Sequence, residues 1–444
     1  MATIIRNATL VNEGKIFNAD VLIKGERLER IDSGFDVKFQ AAEVNAEGKY
    51  LMPGLIDDQV HFREPGLTHK ATIGSEARAA VAGGVTSFME MPNVQPPTLT
   101  QALLEEKYHI ASQTALANYS FYMGVSNNNF EEVMKTPLEN VCGVKIFMGS
   151  STGNMLVDDA QILEKIYAST PHLIAVHCEL EPLVKERKAA FEAEYGDKLN
   201  ASFHPVIRSE EVCFRSSSFA VALAKKHNTR LHVLHITTAE ELELFSNEIP
   251  LAQKKITAEV CVHHLLFTAD DYERLGNKIK CNPAIKDKRH SPELLKALLD
   301  GRIDVFATDH APHTTEEKNQ HYNAAPAGVP LVQHSLNVML QFYHEGKISL
   351  PQIVEKGSHA VATCFKVKER GYLREGYFAD VVLLDVNKEW QVKKDNIYYK
   401  CAWSPFEGKT FRGAVEQTFV NGNSVFNNGN FNEAVKGKRL LFNK

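Results

Sequence analysis

Between residues 54 and 313, short apolar runs recur eight times, most of them separated by helix-like segments. The runs are GLIDDQVHF, VTSFMEMP, YSFYMGV, VCGVKIFMG, LIAVHCE, LHVLHITT, ITAEVCVHH and DVFATDHAPH. TLTQALLEEKYHIASQTA and SSSFAVALAKKH are examples of the segments between them. Runs this continuously apolar suit strands covered on both faces, and alternation with helices implies parallel neighbours. The pattern predicts an α/β fold of the (β/α)8 barrel type, which usually takes ~200 to 400 residues. A doubly wound open sheet is the alternative. It would more naturally open on a GxGxxG turn after its first strand, and this chain has none.

The two ends of the chain resemble each other and differ from the middle. TIIRNATLV, ADVLI and LERI near the start, and FADVVLLDV and TFVNGNSVF near the end, read as short strands broken by turns, with Asn421-Gly422 in a hairpin turn. About 50 N-terminal residues of strand would struggle to form a core alone. The expected organisation is therefore a barrel over 53–371 and a composite β-sandwich made from 1–52 and 372–444.

Bulk properties narrow the partners. A formal net charge of −5 gives no electrostatic reason to expect nucleic acid or an anionic membrane. No apolar run approaches the ~20 residues of a membrane helix. MATIIRNATLVN lacks the basic and apolar regions of a secretory signal. Seven cysteines, scattered without a CxxC pair, suit free thiols in a reducing compartment. The expectation is a soluble cytoplasmic protein that acts on a small molecule, with a closed homo-oligomer as the default assembly.

Ionisable residues sit near the C-terminal ends of five runs: His61, Lys145, His177, His235 and Asp309. In a barrel those ends converge on the catalytic face. A lone histidine in such a run is often only a hydrogen-bonded structural residue, and His232 is read that way; neither His263 nor His264 is assigned. Lys145 and Asp309 are harder to dismiss, because an isolated buried charge is costly. One chemistry answers both problems. A neutral Lys145 amine can add carbon dioxide and become an anionic carbamate that bridges two divalent cations. His61, the carbamate and Asp309 would hold one ion, and the carbamate, His177 and His235 the other. A metal-acidified hydroxide would then attack an amide-type bond, with Asp309 as general acid and base.

MPGLIDDQVHFREPG, KIFMGSSTGNM, AVHCE, LHVLHITT, ITAEVCVHHL, NPAIK, ATDHAPH and GYFADVVLLD resemble, in order, the dihydroorotases of the amidohydrolase superfamily. The resemblance implies a zinc-dependent barrel that interconverts dihydroorotate and N-carbamoyl-L-aspartate in pyrimidine biosynthesis. It places metal ligands at His61, His177, His235 and Asp309. Some members bridge their metals with an aspartate whose position here falls in MGSS and is empty; Lys145 matches the members that use a modified lysine. By the same resemblance Arg63 and Asn93 take the ring carboxylate, while Asn282, His313, Ala327 and Gly328 contact the ring. Arg63, two residues after His61, is expected on the same strand face if the strand continues; a salt bridge to Glu64 is the alternative. Asn93 has a turn role as its alternative. HTTEEKNQHYNAAPAG is a polar stretch suited to a lid. Allantoinases and hydantoinases share the superfamily.

Position 59 departs from most relatives, which have histidine there. Gln59 is expected to face the site with Asp57 and His61, to bind zinc less well than imidazole, and so to weaken one of two metal positions. A non-catalytic scaffold is the other reading of that loss.

Overall fold

The structure, a computed structural model, describes residues 2–149, 155–157 and 159–443, so Ser150 and Ser151 of the MGSS stretch lie outside the described residues. The barrel strands are Leu55–Val60, Val85–Glu90, Asn118–Phe121 continued by Met123–Gly124, Val144–Phe147, Ile174–His177, Leu231–Val233, Ile256–Cys261 and Val305–Ala307. They pair in parallel in chain order. The ring closes where Val60 bridges His310 and His61 N donates to His310 O at 2.7 Å. Apart from Ile256, every residue of these strands is buried, which is why their sequences run apolar without alternation.

The helices follow from ordinary signals. Gln101–Thr114 starts where the Thr100 side chain accepts from Leu103 N, and it buries Leu104, Lys107, Tyr108 and Ala111 at helical spacing. Lys107 is tolerated in that stripe because its Nζ meets Glu90 at 2.8 Å, both side chains fully buried.

Both chain ends join one nine-stranded sheet of the β-sandwich domain. Tyr50–Pro53 makes the joint: it pairs in parallel with Ala2–Asn12 and antiparallel with Val381–Gln391. Thr410–Val420 and Asn423–Asn427 form the expected hairpin, with positive φ at Asn421 (49°) and Gly422 (75°) as its two-residue turn requires. Beyond that sheet the chain returns to the barrel, where Leu440 N donates to Tyr119 O at 2.8 Å. All seven cysteines are free and six are buried. Among the described residues, no helix is long and apolar enough to cross a membrane.

Several strands end sooner than the apolar runs. Asp309 and His235 lie past their strands at φ 48° and 41°, and Arg63 lies three residues past Val60 at φ 69°. Positive φ is unfavourable for residues with a Cβ and removes them from the sheet, so these backbones carry strain at the mouth of the barrel. The strand therefore does not continue to Arg63; a loop aims that side chain instead. The pairing also shifts register between Asp57 and Val60, so simple alternation fails there. Asp57 bonds to Thr308 Oγ1 at 2.6 Å, while Gln59 and His61 face the cavity.

Candidate active site

The C-terminal strand ends and their loops enclose a cavity of about 240 Å³. His61, Arg63, Asn93, Lys145, His177, His235, Asn282, Asp309, His313, Ala327 and Gly328 all line it, with Gln59, Phe147, Ala311 and Pro326. The structure thus brings together every residue singled out from the sequence.

On one side the donors converge in pairs. His61 Nδ1 is 2.8 Å from Asn93 Oδ1, and its Nε2 is 3.0 Å from Asp309 Oδ1. Burial lowers the pKa of this ring, so a single N–H must serve two oxygen neighbours. A cation between Nε2 and Asp309 would resolve that conflict. His177 Nε2 is 2.9 Å from Glu179 Oε2, and its Nδ1 is 2.9 Å from His235 Nε2. An ionised carboxylate only accepts, so Nε2 carries the proton and Nδ1 presents a lone pair toward His235. Burial holds His235 well below its ordinary pKa and therefore neutral. Two imidazole nitrogens facing a common point suit zinc and similar divalent ions.

Lys145 lies between these pairs in character. Its ammonium would be buried, it makes no ion pair among the described residues, and Nζ stands 4.6 Å from the Phe147 ring centroid. Burial pushes its pKa down to about 7, so much of the amine is unprotonated at neutral pH. Burial alone would raise the Asp309 carboxyl. The His61 hydrogen bond leads the causes that outweigh it and keep Asp309 below its usual value.

Arg63 adds a cation to the same lining. Arg63 Nε donates to Pro312 O at 3.1 Å rather than turning to Glu64, whose Oε2 accepts from Ile73 N at 2.8 Å. Lys70 Nζ donates to His313 Nδ1 at 3.1 Å, which leaves the ring proton on Nε2, directed at Ala327 O at 3.0 Å. Arg63 Nη2 sits 3.0 Å from that same Nε2. The Nε2 proton is engaged with Ala327 O, so the buried Arg63 guanidinium is the donor here suited to an anionic oxygen. Burial, then Arg63, pushes His313 to about 3, so the ring stays neutral. Asn93 gives its oxygen to His61, and its amide NH2 is the group left to donate to a ligand. His204 holds the base of Asn282, with Nε2 3.1 Å from its Oδ1.

HTTEEKNQHYNAAPAG forms a wall of the cavity. Lys318 Nζ donates to the carbonyls of Lys280, Pro326 and Gly328 at 3.1, 2.9 and 2.8 Å. Gly328 has φ 144°, and a Cβ there would stand 2.4 Å from Ala311 O and 2.9 Å from the His313 ring, so only glycine fits.

Gln59 does not present its oxygen as a ligand. Its Nε2 donates to Asp309 Oδ1 at 3.1 Å, while Oε1 turns to Cys261 Sγ at 3.8 Å. It therefore orients Asp309, the same oxygen that His61 meets.

Sequence reasoning passed over Glu179, Lys70 and His204. Only Glu179 carried a signal, being two residues after His177 in HCE. Arg208 Nη1 meets Glu179 Oε2 at 2.5 Å, and Arg208 and His177 together hold that carboxylate ionised despite its burial. Outer partners of this kind fix ligand tautomers. Glu179→Gln is expected to weaken metal binding about 10- to 100-fold, measured by competition with a chromophoric chelator.

The amidohydrolase family model matches residues 50–425. A dihydroorotase of Pyrococcus horikoshii is 30% identical, over 97% of this chain and 95% of its own. An allantoinase of Desulfitobacterium hafniense is 29% identical over 98% of each chain. The solved L-hydantoinase (dihydropyrimidinase) of Arthrobacter aurescens superposes with a TM-score of 0.93 at 26% identity, covering 99% of each chain. With the barrel, the end-to-end β-domain and the convergent donors in place, the chain belongs to the amidohydrolase family, among its metal-dependent cyclic amidohydrolases.

Proposed function

We propose that the protein is a dihydroorotase, hydrolysing (S)-dihydroorotate reversibly to N-carbamoyl-L-aspartate in de novo pyrimidine biosynthesis. The observation that carries this reading is the buried Arg63 guanidinium, which lines the same cavity as the histidine and aspartate donors. Dihydroorotate differs from a plain hydantoin or dihydropyrimidine by its ring carboxylate, and a guanidinium is built to pair with a carboxylate. Curated dihydroorotases among the relatives support the same substrate.

His61, Lys145 and Asp309 would hold one zinc ion, and Lys145, His177 and His235 another. For Lys145 to serve both, neutral Nζ bonds to the carbon of CO2 and releases one proton, leaving a carbamate anion. Zinc bound there supplies Lewis acidity toward the ring carbonyl and an acidified water. Asp309 takes the proton of the attacking water and returns it to the ring nitrogen as the C–N bond breaks. Arg63 and the Asn93 amide hold the carboxylate and His313 borders the ring, so the scissile carbonyl is fixed relative to Asp309. Asn282 and the backbone at Ala327 and Gly328 border the ring. The donors retained at His61, His177, His235 and Asp309 favour catalysis over a scaffold role.

A second reading, allantoinase or hydantoinase, draws on the corresponding relatives. The test is Arg63→Ala with dihydroorotate and with dihydrouracil, which lacks the carboxylate. The expected result is a KM for dihydroorotate raised about 10- to 100-fold, as loss of a charge-assisted hydrogen bond implies, with no matching change for dihydrouracil. An unchanged KM for dihydroorotate would remove the carboxylate role.

A further inference from the structure

Beside the catalytic cavity lies a second set of donors that nothing in the mechanism uses. The seventh barrel strand ends at Cys261 and turns directly into the short helix Val262–Leu266, which places Cys261, His263 and His264 together. The Cys261 Sγ and one ring nitrogen of each histidine all lie within 4.8 Å of one another. All three residues are buried, at 0%, 1% and 4% exposure. Among the described residues, both ring nitrogens of His263 and Nδ1 of His264 have no hydrogen-bond partner. Buried polar atoms left unpaired are costly and call for a missing partner.

The His264 ring shows which partner. Its Nε2 is 3.1 Å from Pro283 O, and a carbonyl can only accept, so the proton is on Nε2 and the orphaned Nδ1 carries a lone pair. A ring anchored through one N–H, with its other nitrogen bare, is the arrangement of a metal-ligating histidine. Burial, reinforced for His264 by His263, lowers both pKa values, so both rings are in the neutral, ligating form. Cys261 Sγ lies 3.4 Å from Glu259 Oε1, and burial, then Glu259 and Asp309, hold its pKa up, so it is a thiol until a cation displaces the proton. The other compact donor group, Asp58, His232 and Glu259, supplies its own counter-charge, with His232 Nε2 3.1 Å from Asp58 and 3.7 Å from Glu259. The Cys261 group has no such internal ion pair.

We propose that Cys261, His263 and His264 form an accessory metal site for zinc or another borderline-soft divalent cation, distinct from the catalytic donors. One thiolate and two imidazoles are a donor set that selects such ions over magnesium or calcium. On binding, the thiol proton is released and the cation takes its place on Sγ. Gln59 links the two sites, because Oε1 faces Cys261 Sγ at 3.8 Å while Nε2 donates to Asp309 at 3.1 Å. A cation at Cys261 displaces the thiol proton that Oε1 accepts, so occupancy of the site acts on the amide that holds Asp309.

The test is cobalt reconstitution of the chelator-stripped full-length protein. The catalytic donors contain no sulfur, so a thiolate-to-cobalt charge-transfer band in the near ultraviolet reports the accessory site alone, whatever the protein hydrolyses. The expected result is that band in the wild type and its loss in Cys261→Ser, with one cobalt fewer per chain. Cys281→Ser is expected to retain it. His263→Gln, which keeps the thiol, should weaken or shift the band and gives a second arm if Cys261→Ser misfolds. Cobalt bound without a charge-transfer band in the wild type, or a band unchanged in Cys261→Ser, would overturn the proposal.

Discussion

Asp309→Asn should lower kcat for the cyclic amide by about 10²- to 10⁴-fold, the range over which positioned acid–base groups contribute. The substitution keeps shape and an Oδ1 acceptor for His61 Nε2 at 3.0 Å and Gln59 Nε2 at 3.1 Å, but removes the negative charge. An amide can neither take the water proton nor neutralise a cation, so metal content should fall as well. The check is steady-state kinetics beside metal analysis on the same sample. A pH dependence follows. The folded pKa of Asp309 lies below its ordinary value, so its ionised form stabilises the fold above the unfolded carboxylate pKa of ~3.9. That contribution is lost as pH falls through the lower, folded value. Thermal unfolding of Asp309→Asn should therefore differ most from wild type at neutral pH and converge with it in acid. Retained kcat in Asp309→Asn would reassign the proton carrier.

Lys145→Met should remove activity to a comparable or greater extent, through the metals rather than the proton. Methionine preserves much of the apolar stem packed by Phe147, so the fold should survive. What disappears is the group able to become an anion where no ion pair neutralises an ammonium. The folded pKa of about 7, below the ordinary lysine value, means the amine is protonated in acid and free above that point. Bicarbonate-dependent reconstitution of stripped wild type should therefore become efficient as pH rises through about 7 and fail below it. Intact mass of the metal-loaded protein under non-denaturing conditions should show the added carbon dioxide on wild type and not on Lys145→Met. Metal-loaded wild type with an unmodified Lys145 would eliminate the bridge.

The barrel was legible because eight apolar runs without alternation demand cover on both faces, and only their lengths were misjudged. The positive φ of His235 and Asp309 ends strands that the residue types alone would extend. Charges inside apolar runs exposed Lys145 and Asp309, since such groups need a chemical reason to be buried. Arg63 was found by its spacing from His61 but for a geometry that does not hold: the strand stops at Val60 and a loop aims the guanidinium. Lys70 and His204 could not be read at all. Each acts on a residue far away in sequence, Lys70 on His313 and His204 on Asn282, and no local pattern encodes such a contact. Gln59 was recognised as a departure, yet which end of its amide faces Asp309 depends on Cys261, some 200 residues later.

Substrate choice at the wall formed by Arg63 and His313 decides between the cyclic amides. The most direct measurement is turnover of L-dihydroorotate by purified protein supplied with zinc and bicarbonate, beside a chelated sample, with allantoin and hydantoin in parallel. The predicted result is metal-dependent hydrolysis of dihydroorotate at a kcat/KM well above that for either uncharged ring. Preferential hydrolysis of allantoin or hydantoin, or no turnover of dihydroorotate by metal-loaded protein, would contradict it.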